Sequence, residues 1–279
     1  MISLGLGLIA ALAWGIHDVC VRYVSQRTGI LAALLTVLVL GSFLAVPVAL
    51  VFSDAQMTTD NIVRAVVAGV AFAVAGLALY HAFSIGPVRL VAPIIGAYPI
   101  LSVGWAAING ASVDVFQWAA VLLVIAGVGF VAGSSGTSED NSQRLAAIKW
   151  SLMACVGFAL SFAIAHYATT EGTEFSVNAV SRLTAVVCIF GYALFTRSVM
   201  LPARSQLPLL ALMGALDCLA LGAVVYAGTQ TNPEYSAVGA SSFGMITVIL
   251  ASLFLREKMT NAQWAGVAVV FSAIAYLAF

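Results

Sequence analysis

The run VFQWAAVLLVIAGVGFVAG at residues 115–133 returns as NAQWAGVAVVFSAIAYLAF at 261–279, with Gln-Trp-Ala in register at 117–119 and 263–265. Working outward at that constant offset (263 − 117 = 146), residues 80–132 align with 226–278 without a gap. Nine of those 53 pairs are identical, Tyr80/Tyr226 and Pro87/Pro233 among them. The chain therefore reads as two copies of one half. If each half holds five spans, an odd number, the second copy enters the bilayer upside down. Inverted repeats of this kind are the plan of many secondary transporters, which hold a solute near the midplane between the halves.

Composition makes the bilayer the solvent. Of 279 residues 62% are hydrophobic and only 8% charged, with a mean hydropathy of +1.08. A water-soluble fold of this composition would expose apolar patches far larger than monomers tolerate. Net charge is zero and no basic run occurs, so a nucleic-acid partner is excluded. Cys20, Cys155, Cys188 and Cys218 all sit in apolar runs and read as small hydrophobes in packed helices. They lack the Cys/His spacing of a metal site, so neither a metal nor another cofactor is expected.

A helix needs roughly 20 apolar residues to cross the hydrocarbon. That ruler gives ten segments, at about 2–24, 31–52, 62–83, 90–108 and 115–133, then 147–168, 177–196, 206–229, 236–255 and 261–279. The N-terminus lacks the basic stretch of a signal peptide, and its apolar run continues to about Val24, so it reads as the first span. The expected fold is an all-α integral membrane protein, ten transmembrane helices in two inverted five-helix repeats. Residues 1–133 and 147–279 are the repeats, and the polar residues 134–146 link them. Nine of the eleven basic residues fall in alternate loops: Arg22, Arg27, Arg89, Arg144, Lys149, Arg197, Arg204, Arg256 and Lys258. The positive-inside bias puts those loops in the cytoplasm and both termini outside.

Within the fourth segment, Pro93 and Pro99 bracket Gly96, and internal prolines predict a kink. Its repeat partner carries Gly239 opposite Pro93 and Gly244 opposite Tyr98. Interrupted segments at matching positions of the two halves point to a transporter's binding site, although small residues also serve close packing. Charges at mid-span are costly and mark functional candidates. Asp217 is the sharpest case, a carboxyl suited to a coupling proton or a solute amine, or else an inert hydrogen-bonded group. Asp18 is four residues from both Trp14 and Arg22. It either pairs with Arg22 or stands with Trp14 on a cavity wall with His17, a second proton-coupling candidate, at the edge. Arg182 is expected to snorkel to the interface or anchor an anion. Tyr80, Trp105, His166 and Tyr226 read mainly as interfacial aromatics. Tyr98 and Phe158, which lie deeper, are cavity candidates. Ser241 and Ser242 are candidate hydrogen-bond donors to the solute.

The run Arg256-Glu-Lys-Met-Thr-Asn-Ala-Gln-Trp-Ala-Gly266, entering a final apolar helix, resembles the hallmark of EamA-type members of the drug/metabolite transporter superfamily. There a Glu is followed six residues on by Gln and then by Gly; here these are Glu257, Gln263 and Gly266. Ala13-Trp14-Gly15 and Pro99 match as well. The chain departs from the pattern at Ala111, where the first half would carry its Glu, and at Met245, where the ninth span would carry a proline. The resemblance implies a basket of ten helices around a cavity lined by spans 1, 3, 4, 6, 8 and 9, with spans 5 and 10 at the periphery. It also implies both termini in the cytoplasm, against the charge pattern, and transport of metabolites without ATP hydrolysis.

The function expected is a secondary transporter in a bacterial cytoplasmic (inner) membrane, exporting an amino acid or similar small metabolite by alternating access. Its partners would be the small-molecule substrate, the lipid bilayer and a coupling proton, with monomer and homodimer both open. A flippase for a lipid or lipid-linked sugar is the alternative within the same superfamily. A distant one is an intramembrane aspartyl protease using Asp18 and Asp217, whose sequence contexts here differ from the motifs of such enzymes. No phosphate-binding Gly-rich Lys-Ser/Thr loop is present, which excludes primary ATP-driven transport by this chain.

Overall fold

A computed structural model describes residues 2–108, 114–133, 141–198, 201–228, 230 and 234–277. Among the described residues the chain is helical without strands, as a bilayer core requires when every backbone amide must find its partner within its own segment. The first half comprises α1 (Ile2–Ser25), α2 (Ile30–Phe52), α3 (Thr59–Ile85), α4 (Val88–Gly96), α5 (Pro99–Ile108) and α6 (Val115–Gly133). The second comprises α7 (Asn141–Ala168), α8 (Glu174–Phe195), α9 (Leu207–Gly228), α10 (Glu234–Ser241), α11 (Phe243–Phe254) and α12 (Asn261–Leu277). Helix α7 starts inside the stretch expected to be linker, so residues 141–146 are helical.

Six helical stretches are long and apolar enough to cross a membrane alone: α1, α2, α3, α7, α8 and Arg204–Ala227, which holds most of α9. Large apolar side chains such as Phe43, Leu50, Leu122, Val187 and Leu253 stand exposed on the outer surface. In water they would be a liability; against lipid tails they cost nothing. The protein is a multi-pass integral membrane protein.

The fourth and ninth expected spans are each two short helices. The first break falls at Ala97–Tyr98, just ahead of Pro99, because a residue preceding proline is sterically pushed out of the helical region. Pro93 lies inside α4. The second break falls at Ser242, between α10 and α11. Gly239 and Gly244, expected as the breaking residues, have packing duties instead. A Cβ on Gly239 would lie 2.9 Å from Leu4 O and Leu8 N of α1, and one on Gly244 would lie 2.6 Å from the Phe271 ring. Without a hydrophobic drive between helices in lipid, such close backbone approach is a principal source of cohesion.

Helix pairings map onto themselves when the halves are exchanged. Helix α3 packs on α7, and α9 on α1; α3 packs on α8, and α9 on α2. Pairs α2·α8 and α6·α12 each span the two halves and are their own counterparts, and α4 packs on α11, so the fourth span meets the ninth. The Gln-Trp-Ala repeat has a local explanation too. Gln117 Oε1 accepts from Asp114 N (3.1 Å) while Asp114 Oδ1 accepts from Gln117 N (3.0 Å), a reciprocal cap at the start of α6. Gln263 and Thr260 repeat it at α12, with distances of 3.0 and 3.2 Å. Each Gln side chain accepts from the amide of the capping residue, whose own side chain accepts from the Gln amide in return.

Candidate functional site

Helical spacing brings together a cavity between the halves. Trp14 and Asp18 of α1, Phe158 and Phe162 of α7, and Asp217 and Leu221 of α9 are pairs four apart, so each pair presents one face. Helix α3 adds Phe72, Gly76, Leu79 and Tyr80 at i, i+4, i+7 and i+8. Ile95 and Tyr98 come from the broken fourth span and Phe243 from the start of α11. Helix α2 contributes Leu34, Val37 and Leu38, a wall that the family resemblance did not imply. The space open to the centre of a water molecule is about 80 Å³. At roughly 10–15 Å³ per water, it holds a handful of waters or a small solute.

Most of the wall is aromatic or aliphatic. Tyr98 meets Phe162 edge-on with centroids 5.5 Å apart, Phe162 stacks on Phe158 at 5.9 Å, and Phe158 meets Phe72 at 5.9 Å. Trp14 packs edge-on against Phe243 at 6.1 Å. The polar groups sit among these rings. Trp14 Nε1 donates to Asp217 Oδ1 at 3.2 Å, and Arg182 donates to Asp217 Oδ2. Arg182 is only 2% exposed and neither snorkels to an interface nor lines the cavity; it stands behind Asp217 and neutralises it. Room for its guanidinium comes from Gly41 of α2, where a Cβ would overlap Nη1. Asp18 joins His17, Nδ1 to Oδ1 at 3.2 Å, and does not pair with Arg22.

Arg22 turns away to a separate cluster at the end of α1. Its Nη1 donates to Phe83 O at 2.6 Å, and its Nε lies 3.6 Å from Glu257 Oε1. Glu257 also accepts from Val88 N at 3.1 and 3.0 Å, so it caps α4 from the other half of the chain. The hallmark Glu and Gln both hold helix starts; neither faces the solute space.

The match to known proteins agrees with this architecture. The EamA-like transporter family matches residues 1–133 and 145–279, one copy on each half. The chain belongs to the EamA-like transporter family. Among solved structures, 22 chains match. One, titled only "Crystal structure of protein", shares 12% identity with this EamA-like chain at a TM-score of 0.65, covering 99% of this chain and 97% of that one. At that identity it shows a common fold and nothing about solutes. No curated protein matches significantly.

Of the residues singled out in the sequence, Trp14, His17, Asp18, Tyr98, Phe158 and Asp217 all line the cavity of this EamA-like protein. Ser241 closes α10 and Ser242 is the break before α11; neither lines the cavity. Tyr226 and His166 are exposed. The side chain of Trp105 lies outside the described residues, as do Ala111 and Pro233. Sequence reasoning missed Tyr80, Phe72, Phe162 and Phe243. The i, i+4, i+7, i+8 stripe on α3 and the Phe158/Phe162 spacing carried the signal for three of them. Nothing local marks Phe243.

Proposed function

We propose that this EamA-like protein is a secondary transporter that exports an amino acid or similar small amine-bearing metabolite by alternating access. The observation that carries this reading is a largely aromatic cavity that holds Asp18, with one carboxylate oxygen open, beside the Arg182-paired Asp217, in a membrane-embedded member of a transporter family. Aromatic faces and carboxylates together attract a cationic amine, and apolar walls accept the rest of an amphipathic solute. The exchange symmetry of the helix pairings supports ten crossings in two inverted five-span halves that rock about the cavity. The membrane proposed is the bacterial cytoplasmic one, where export without ATP draws on an ion gradient. An aspartyl protease needs two carboxyls sharing a proton. Asp217 is committed to Arg182 and Trp14, which supports carriage over catalysis.

Asp217 is the proposed coupling group, able to exchange its Arg182 partner for a proton, with His17 as a second carrier beside Asp18. Proteoliposome uptake of amino acids, nucleobases and sugars, with and without a pH gradient, tests the reading. Accumulation of an amine-bearing solute that depends on the gradient is expected. Asp217→Asn should then abolish gradient-driven accumulation and leave counterflow exchange, since Asn keeps the shape and loses the titration. A screen in which sugars move and amines do not would refute the proposed solute class.

A further inference from the structure

Tyr80 is 1% exposed, lines the cavity, and carries a hydroxyl with no hydrogen-bond partner among the described residues. A buried hydroxyl left unmade is costly, and a native site that keeps one has something to satisfy it. The same cavity holds Asp18, whose only hydrogen bond among the described residues goes through Oδ1 to His17, leaving Oδ2 open. Asp217 has both oxygens engaged. Arg182 stands behind Asp217 and is not part of the wall. An oxygen-bearing group on a solute therefore finds in Tyr80 Oη a fully buried hydroxyl that lacks a partner among the described residues, while an amine finds Asp18 Oδ2. Its repeat twin, Tyr226, faces outward at 52% exposure, so the two halves have put the same residue to different uses.

We propose that Tyr80 is a specificity-determining residue of the transport site, its hydroxyl donating to an acceptor oxygen of the solute, so that the cavity favours amines bearing such an oxygen over plain amines. The inference rests on the amine-bearing solute argued above and adds a second point of recognition. Leucine and 3-methylbutylamine make the comparison, because they share tail and amine and differ only in the carboxylate. The full-length protein in lipid nanodiscs, wild type and Tyr80→Phe, is titrated with each by calorimetry. Wild type should bind leucine about tenfold tighter than the amine, the scale of one hydrogen bond to a charged group. In Tyr80→Phe that ratio should collapse towards one, with the amine's affinity unchanged, which also reports an intact fold. A ratio that survives in Tyr80→Phe, or a wild type that binds both solutes equally, overturns the role of Tyr80 while leaving the amine reading standing. Loss of amine binding in Tyr80→Phe overturns it too, because the hydroxyl would then be supporting the fold. Binding of neither solute by wild type would remove both.

Discussion

At the scale of single residues, the costliest arrangement is the Arg182–Asp217 pair. Two charges have been taken out of water, and their attraction repays that only while both are present. Arg182→Met should therefore cost about 3–5 kcal/mol of stability by stranding a buried carboxylate. The double variant Arg182→Met/Asp217→Leu should recover most of the loss, read as melting temperature in detergent. A double variant melting below the single one would show that the pair is not the source of the effect. Gly41→Ala should act in the same direction as Arg182→Met, since its methyl claims the space of Nη1. Asp217 was visible in the sequence as a lone mid-span carboxyl, yet its partner was not. Arg182 lies 35 residues away on another helix, and in its own run it reads as a residue able to reach an interface. Tyr80 hid for a related reason, because nearness to a span end says nothing about which way a helix face is turned.

At the scale of elements, helix starts explain more of the family pattern than the cavity does. Glu257 lies in the connection from α11 to α12 and caps α4 across 169 residues of sequence, while Arg22 of α1 joins it. Glu257→Ala frees the Val88 amide and should cost about 1 kcal/mol, the usual worth of a lost cap. Glu257→Gln, which keeps an acceptor, should cost less, and the ordering of melting temperatures is the check. Equal losses would mean that charge pairing with Arg22 dominates. The motif is legible in the sequence as a family hallmark, but its part in capping is not. A cap supplied by the opposite half leaves no local signature. The fourth-span break was legible from Pro99, because proline restrains its predecessor whatever the tertiary context. The ninth-span break lacks a proline, and the glycines that suggested it turn out to seat α1 and Phe271.

At the scale of the whole molecule, two sets of contacts define opposite faces. Arg22, Val88 and Glu257 meet on one. On the other, Asp54 N donates to Gly172 O at 3.1 Å, Ser176 to Ser53 at 2.8 Å, and Arg64 Nη1 to Tyr167 O at 3.0 Å. The first face gathers the ends of α1 and α3 and the starts of α4 and α12, the connections that carry Arg22, Arg27, Arg89, Arg256 and Lys258. The second face carries Arg64. Helix α12 leaves the basic face at Asn261 and runs 17 residues to Leu277, so its far end is directed to the basic-poor face. If the charge bias sets orientation, that face is outside the cytoplasm. A phosphatase fused after Phe279 should then be active, and a fluorescent protein fused at the same place dark. The inverse pair of results would put the basic loops outside and show that this chain follows the orientation implied by its family rather than its charge pattern.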